Sequence, residues 1–363
     1  MKIILIIINF SYQKKGTVKK MQNKILRFDN AYVASAASVV GEKEFEGPLG
    51  DCFDLHDSTD RFGKKTWEKS ESEMQRLALN MALSKIGASE RDIDAIFAGD
   101  LLNQCVGSSY GLLDFDVAYF GLYGACSTAI ESLMLASMSC NAGYFDTCAA
   151  VTSSHYCSAE RQYRTPLEYG AQRSPTAQWT VTGSGAFIVK RDNDNGEYLA
   201  RVTEAMPGIV VEKGINDPSN MGAAMAPAAA DTLLRYFENA DCSPDDLDMI
   251  VTGDLGHEGG EILCELLKAQ GLDLGSRYND CGIMIYDRST QDMHAGGSGC
   301  GCSAVVLASY LLPRLKSGAL KDILILGTGA MMSPASIQQG EAIPAVAHLL
   351  RIKGRKESEK WSL

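Results

Sequence analysis

The sequence predicts an α/β protein made of two related halves, with a mainly parallel sheet whose strands alternate with helices. The first indication is an internal repeat. The segment "DIDAIFAGDL" (Asp92–Leu101) returns as "DLDMIVTGDL" (Asp246–Leu255), with six of ten positions identical. Each copy is typical of a short buried strand that ends in Gly-Asp, and each follows an acidic turn with a helix-cap signal, "SERD" or "SPDD".

A second repeat has the order helix, turn and buried strand. The helical stretch around Met134–Met138 leads through Gly143 into "CAAVTSS", and the stretch around Val306–Tyr310 leads through Gly318 into "ILILGTG". Short, almost continuously apolar strands that alternate with helices indicate a sheet covered by helices on both faces. The two repeats together predict a duplicated strand–helix–strand unit.

The length of the chain fits two such halves, because 363 residues exceed what one hydrophobic core usually serves. "TGSGAFIVKR" (Thr182–Arg191) is typical of a last strand, and a polar turn follows it. We therefore place an N-terminal half at 24–192, a C-terminal half at 193–354 and a charged tail at 355–363.

Residues 1–23 are expected to lie outside the fold. The aliphatic run Ile3–Ile8 is far too short to span a bilayer, and no small-residue cleavage site follows it. Lysines and then Met21 come next. We interpret the segment as an over-extended translation start with Met21 as the true first residue; an anchor that touches a membrane is the alternative.

Composition excludes several classes of protein. A net charge of -11 without a basic run argues against nucleic acid as a partner. The eleven cysteines show neither a CxxC pair nor a zinc-ligand spacing, which indicates reduced thiols in a cytosol-like compartment. The glycine-rich stretch Ala295–Ala304 lacks the Gly-Lys-Ser/Thr of a nucleotide-binding loop. We expect no cofactor and no protein metal site.

The stretch "GACSTAIESLML" (Gly124–Leu135) contains the first candidate site residue. Small residues precede Cys126, and apolar residues at helical spacing follow it. Free N–H groups and the positive end of a helix dipole favour a thiolate or a bound anion at such a position. Cys126 is therefore a candidate nucleophile or ligand contact, while a small buried residue remains the plainer alternative.

The longer motifs carry a resemblance. "GPLGDCFDLHD", "TSSHYCSAERQYRTPLEYG", "YNDCGIMIYD", "AGGSGCGCSAVV" and "SPASIQQGEAIPAVAHL" are spread from about Gly47 to Leu349. The duplicated unit with a cysteine at a buried helix resembles the thiolase fold, which is layered α-β-α-β-α. The motifs themselves are similar to those of the stage V sporulation protein AD (SpoVAD) family.

That resemblance implies a protein of spore-forming bacteria that binds dipicolinic acid (pyridine-2,6-dicarboxylate) for its uptake into the developing spore. It implies other SpoVA proteins as partners and a place on the cytoplasmic side, peripheral to the spore or forespore inner membrane. A homodimer is expected by analogy with other proteins of the fold. Whether calcium enters with the ligand stays open.

The resemblance also suggests that the chain is not an enzyme. Enzymes of this fold take His or Asn from the loop after the first strand of the second half, where this chain has Thr252–Gly256, "TGDLG". The last loop, "GTGA" (Gly327–Ala330), lacks the second cysteine of some thiolases. The alternative is an acyltransferase or ketoacyl synthase that uses Cys126, with His294 or His257 as its base.

The ligand contacts are predicted from the segment Ser153–Arg173, which gathers His155, Arg161, Arg164 and Arg173 in an acidic protein. Arginine pairs bidentately with carboxylates, and nearby tyrosines offer flat faces to an aromatic ring. The predicted ligand-binding residues are Cys126, Ser154, His155, Arg161 and Ser298, with no catalytic residue. A solvated loop or a dimer contact is the alternative for this segment.

The two Gly-Asp residues of the repeat, Asp100 and Asp254, are expected to cap the helices that follow them. Their carboxylates would be poor direct neighbours of a dianion unless a divalent cation lay between.

Overall fold

The computed structural model describes residues 24–163, 173–192 and 196–355. The predicted extension at 1–23 and, apart from Arg355, the predicted tail at 355–363 lie outside these residues, as does Arg164. Within the described ranges, no helix combines the length and the apolar character needed to cross a bilayer.

The described residues form fourteen strands and eleven α-helices. The strands are β1 (Leu26–Arg27), β2 (Tyr32–Gly41), β3 (Leu55–Asp57), β4 (Ala95–Gly99), β5 (Ala118–Leu122), β6 (Thr147–Ser154), β7 (Trp179–Thr180), β8 (Gly183–Lys190), β9 (Ala200–Met206), β10 (Met249–Thr252), β11 (Tyr278–Asp280), β12 (Gly297–Ser298), β13 (Asp322–Ala330) and β14 (Ala345–Lys353). The helices are α1 (Glu42–Phe45), α2 (Trp67–Ser84), α3 (Val106–Gly111), α4 (Thr128–Ala142), α5 (Tyr156–Tyr163), α6 (Met221–Asn239), α7 (Gly256–Lys268), α8 (Cys281–Met284), α9 (Cys300–Val306), α10 (Leu312–Ser317) and α11 (Pro334–Gln338).

The predicted duplication is confirmed by the order of the strands. The main sheet runs β5-β4-β6-β8-β2 through the first half and continues β9-β14-β13-β10-β11 through the second. The halves therefore mirror one another about the pair β2 and β9, which are antiparallel where Tyr32 faces Arg201. The turns before β4 and β10 also match, because Ser89 and Ser243 each form a capping box with the aspartate three residues later.

The expectation of a mainly parallel sheet is wrong at the centre. The outer strands are parallel, since β4 pairs with β5 and β6, and β10 pairs with β11 and β13. Along the main path of the sheet, the inner strands β8, β2, β9 and β14 are antiparallel to their neighbours, whereas the short β3 pairs with β2 in parallel. The connection from β13 to β14 illustrates the reason: it contains only the five-residue α11, and it turns the chain back beside β13 instead of carrying it across a face of the sheet.

Five layers are present, as the predicted α-β-α-β-α architecture requires. Helix α2 packs on the first half of the sheet, with α3 beside it, and α6 packs on the second half, with α7 beside it. Helix α4 lies in the middle and contacts strands of both halves, with α9 next to it. All seven residues of α9 are buried. The middle helices therefore share one apolar core with both halves.

Candidate ligand-binding site at Cys126

Cys126 lies in a tight helical turn, Ala125–Ser127, that leads from β5 into α4. Its neighbour Ala125 has a φ of 53°, in the left-handed region. The Ser127 hydroxyl donates to the Gly124 carbonyl at 2.6 Å, and the Thr128 hydroxyl donates to the Ala125 carbonyl at 2.7 Å. These local bonds hold the turn, so the prediction that Cys126 begins a helix is confirmed.

The thiol faces a cavity of about 710 Å³. Volumes of about 300–1,000 Å³ are usual for sites that hold small molecules. Near Cys126 the wall is polar and is formed by side chains from several elements: Asn103, Tyr123, Tyr163, Gln178 and Ser298. The wall also carries apolar side chains: Pro218, Met221, Met331, Met332, Pro334 and Ile337.

Ser298 stands opposite Cys126, as predicted, with 3.9 Å between Sγ and Oγ. The Ser298 hydroxyl donates to Asp254 Oδ2 at 3.2 Å, and the Gly299 amide donates to the same oxygen at 3.0 Å. Thr328 donates to the other oxygen, Oδ1, at 2.7 Å. Asp254, which is 1% exposed, therefore joins the loop after β10 to β12 and β13 directly behind the thiol.

The thiolate that a helix N-terminus would favour does not form here. Burial, and then the negative charge of Asp254, raise the pKa of Cys126 well above its usual value. Donors at Ser298 and Gly299 oppose this shift but are outweighed. Burial also raises the pKa of Asp254, while its hydrogen bonds oppose that change. Cys126 is therefore a neutral thiol at pH 7.

The two aspartates of the repeated Gly-Asp pairs, Asp100 and Asp254, have different structural roles. Asp100 caps the helix that follows it, since its carboxylate accepts from the Ser108 amide at 2.7 Å within α3. For Asp254 the same expectation is wrong. Helix α7 is capped by Asp280, which accepts from the Leu255 amide at 2.8 Å and the Gly256 amide at 3.0 Å. The repeat could not reveal this, because Asp280 comes from another strand.

Two predicted contacts, Ser154 and His155, are fully buried and do not line this cavity. His155 Nε2 lies 2.8 Å from the Asp60 carbonyl, and Nδ1 accepts from the Cys157 amide at 3.2 Å. Because Nδ1 accepts, Nε2 must carry the proton, and burial lowers the pKa of this histidine. Ser154 donates to the Val181 carbonyl at 2.7 Å. Both side chains join backbone segments in this structure.

The predicted contact Arg161 and its neighbour in the segment, Arg173, also lie elsewhere. Arg161, whose side chain is 55% exposed, pairs with Glu68 of α2. Arg173 pairs with Asp292 at 3.0 Å and lies 4.9 Å from the centre of the Trp179 ring. Among the described residues of the cavity wall there is no lysine, arginine or histidine.

The two histidines of the enzyme alternative do not line the cavity either. His294 Nδ1 lies 2.6 Å from the Ser174 carbonyl, and Nε2 lies 3.0 Å from Asp292. The His257 amide donates to the Ala295 carbonyl at 2.9 Å. Neither ring is placed on the wall that carries Cys126.

The sequence missed a tyrosine pair on the wall. Tyr163 donates to the Leu101 carbonyl, 2.5 Å away, and its hydroxyl lies 3.2 Å from that of Tyr123. Tyr123 also donates to Asn103 at 3.1 Å. Tyr163 and Tyr156 both belong to the segment Ser153–Arg173, but Tyr156 stacks on Trp179 with the ring centroids 3.7 Å apart. The position of Tyr123, just after β5 and close to Cys126 in the chain, was the available signal.

No cluster of three or more metal-ligating side chains occurs in the described part of the chain. Among the described residues that line the cavity, the only carboxylate is that of Glu160.

The comparisons with known proteins agree with this geometry. Synthase III for 3-oxoacyl-[acyl-carrier-protein] from Aquifex aeolicus superposes with a TM-score of 0.54 at 12% identity, over 89% of this chain and 99% of that one. Cerulenin-bound OleA from Xanthomonas campestris superposes with a TM-score of 0.58 at 16% identity, over 90% and 98%. At these identities the likeness shows the fold, which is the thiolase fold.

Sequence comparison is more specific. Stage V sporulation protein AD of Bacillus subtilis strain 168 is 42% identical over 317 residues, which are 87% of this chain and 92% of that protein. The family model described as stage V sporulation protein AD (SpoVAD) matches residues 22–353. This identity supports a role in sporulation within the SpoVA system. The chain belongs to the stage V sporulation protein AD family.

Proposed function

We propose that this protein binds dipicolinic acid without catalysis, for its uptake into the developing spore as part of the SpoVA system. The observation that carries the proposal is the cavity at Cys126. It offers hydroxyl and amide groups but no histidine among its described wall residues. Such a wall can hold a planar polar molecule, and it has the Glu160 carboxylate where the enzyme alternative requires a histidine as its base.

The charge of the wall bears on which form of the ligand enters. On entry, the dianion loses the water that hydrates its two carboxylates. The carboxylate of Asp254 is also buried, close to the Cys126 thiol. No described cation of the wall offsets either charge. Calcium bound by both carboxylates and the ring nitrogen gives a neutral chelate. We therefore propose that calcium dipicolinate binds more tightly than free dipicolinate.

We expect Cys126→Phe to lower the affinity for dipicolinate by at least about tenfold, or about 1.4 kcal/mol. The larger ring would occupy the polar end of the cavity. Cys126→Ser should change the affinity little, because a serine keeps the size and the capacity to donate. Titration calorimetry with dipicolinate, with and without calcium, measures both variants.

Arg161→Ala is the matched control for this titration, because Arg161 pairs with Glu68 and is absent from the described wall. It should bind like the parent protein. Equal affinities of Cys126→Phe and the parent would mean that dipicolinate binds elsewhere. A large loss of dipicolinate affinity in Arg161→Ala would instead show that the ligand binds at the surface of α5.

The enzyme alternative keeps one favourable observation, since Cys126 faces a cavity in a fold that this chain shares with a synthase. Intact-mass measurement after incubation with acyl-CoA separates the two functions. We expect no acyl group on Cys126. A thioester at Cys126 that turns over would establish the enzyme and would contradict binding without catalysis.

We also propose a homodimer formed along β5. This strand lies at the end of the sheet, with its outer edge unpaired among the described strands, and four of its five residues are exposed. Phe120 is 45% exposed, and Tyr123 and Leu113 nearby are 51% and 70% exposed. An apolar, unpaired edge favours association, and a second copy can pair with it antiparallel about a twofold axis.

Phe120→Glu should convert the dimer to a monomer, because it places a buried charge at the centre of the shared edge. Light scattering after size-exclusion chromatography gives the mass. Val210→Glu is the control, since Val210 is equally apolar and 62% exposed but lies in the other half. A parent protein that is monomeric at all concentrations would refute the dimer.

Finally, we propose that the protein works with other SpoVA proteins on the cytoplasmic side, peripheral to the spore or forespore inner membrane. Family membership supports the partners. Fractionation of sporulating cells tests the place: we expect the protein with the inner membrane, and its release by salt or by loss of the SpoVA partners.

A further inference from the structure

Asp254 is the unexpected group of this site, because the repeat predicts a helix cap and the structure instead places its carboxylate behind Cys126. Three groups donate to it, the Ser298 hydroxyl, the Gly299 amide and the Thr328 hydroxyl, and the Cys126 thiol also interacts with it directly. Its own amide donates to Thr328 Oγ1 at 3.2 Å. The carboxylate is therefore held in one position.

The direction of these hydrogen bonds fixes the state of the thiol. A carboxylate only accepts, so the single hydrogen of Ser298 is given to Asp254, and a lone pair of Oγ remains for the thiol at 3.9 Å. The Gly299 amide is likewise bound to Asp254. The two donors that lower the pKa of the thiol are thus shared with the Asp254 carboxylate.

The other titratable groups near the thiol add no compensating charge. Three groups interact electrostatically with Cys126: Tyr163, Cys300 and Cys302. Burial raises the pKa of each, so all three are neutral at pH 7. On the far side of Asp254 lies Asp280, another buried carboxyl group. The Ser298 and Gly299 donors and the N-terminus of α4 favour a thiolate, but burial and the charge of Asp254 outweigh them.

We propose that Asp254 is a positioning residue that keeps Cys126 as a neutral hydrogen-bond donor, so that the cavity holds its ligand without forming a covalent bond. This role in ligand binding rests on the proposed function. The state of the thiol can nevertheless be measured without any dipicolinate, so the two can fail separately.

The experiment follows alkylation of Cys126 by iodoacetamide in the parent and in Asp254→Asn, by mass spectrometry of the peptide that contains it. In the variant the charge is gone. Where the amide Nδ2 takes the place of Oδ2, the Ser298 hydroxyl also loses its acceptor and can donate to sulfur. We expect a rate at pH 7.5 that is at least about tenfold higher, which corresponds to a decrease of about one unit in the thiol pKa. The exposed Cys52 provides the internal reference in the same digest.

Asp100→Asn is the matched control, because Asp100 is the counterpart of Asp254 in the first half and is also fully buried. It should leave the ratio of the Cys126 rate to the Cys52 rate unchanged. An unchanged ratio in Asp254→Asn would overturn the proposal.

The pH profile of the parent protein provides a test that does not depend on folding of the variants. We expect alkylation of Cys126 to reach half of its maximal rate at a higher pH than alkylation of Cys52. A midpoint below that of Cys52 would show a stabilised thiolate and would overturn the proposal.

Discussion

Gly329→Val is expected to destabilise the protein by about 2–4 kcal/mol and to displace Cys126, because backbone atoms would be overpacked. A Cβ at Gly329 would lie 2.6 Å from the Gly124 carbonyl oxygen and 3.0 Å from the Ser127 amide. Both atoms belong to the turn that carries Cys126, so neither can move aside without moving the thiol. Urea unfolding measures the stability, and dipicolinate titration measures the cavity.

Gly121→Ala is the control for this substitution. Its Cβ would meet the side chain of Tyr119 at 3.2 Å on the exposed strand β5, and a side chain can move away. We expect a change below about 1 kcal/mol there. A Gly329→Val protein with parental stability and parental dipicolinate affinity would show that the contact of β13 with the Cys126 turn is looser than described.

The second large effect concerns pH. Glu44 on α1 is 1% exposed, and its Oε1 accepts from the Thr182 amide at 3.0 Å and from the Tyr286 hydroxyl. Oε2 is buried without a hydrogen-bond partner among the described residues. Burial raises the pKa of Glu44 from 4.5 to about 7; the two hydrogen bonds oppose this rise, and the charge of Asp60 adds to it.

The sign follows from the proton that the folded state retains. Between pH 4.5 and about 7 the native protein holds a proton on Glu44 that the unfolded chain releases. Glu44 therefore contributes fully to the free energy of unfolding below pH 4.5. This contribution decreases by about 3 kcal/mol as the pH rises from 4.5 to about 7. Glutamine is neutral at every pH, so the free energy of unfolding of Glu44→Gln should not show this decrease.

Urea unfolding at pH 5.5, 6.5 and 7.5 should show the variant gaining on the parent as the pH rises. The difference between the two proteins is the quantity to use, because burial lowers the pKa of His348 to about 4 and so gives the opposite trend in both. The exposed Glu90→Gln should follow the parent. Parallel curves for parent and Glu44→Gln would mean that Glu44 is ionised in the folded protein.

Much of the fold follows from local sequence. The strands that end at Gly99 and Thr252 and the helices that end before Gly143 and Gly318 lie where the repeats predict them. Their signals are local: apolar runs, capping serines, and glycines that adopt a φ of 74° and 80° at the helix ends. The antiparallel centre of the sheet was missed, because pairing between distant strands leaves no local pattern.

The site was predicted in part. Cys126 and Ser298 come together because each lies beside the N-terminus of a buried middle helix, and the duplication places these two helix ends side by side. Ser154 and His155 were also predicted as ligand contacts from the sequence. Their side chains instead bond to backbone carbonyl groups of Val181 and Asp60.

The sequence by itself determined the duplicated architecture, the family and the position of Cys126 at the start of a buried helix. Only the tertiary structure decided the state of that cysteine and the charge of its surroundings. Asp254, Tyr123 and Arg161 acquire their roles from partners far away in the chain: Ser298, Tyr163 and Glu68. Burial and pairing of charge depend on those long-range contacts, and no short motif records them.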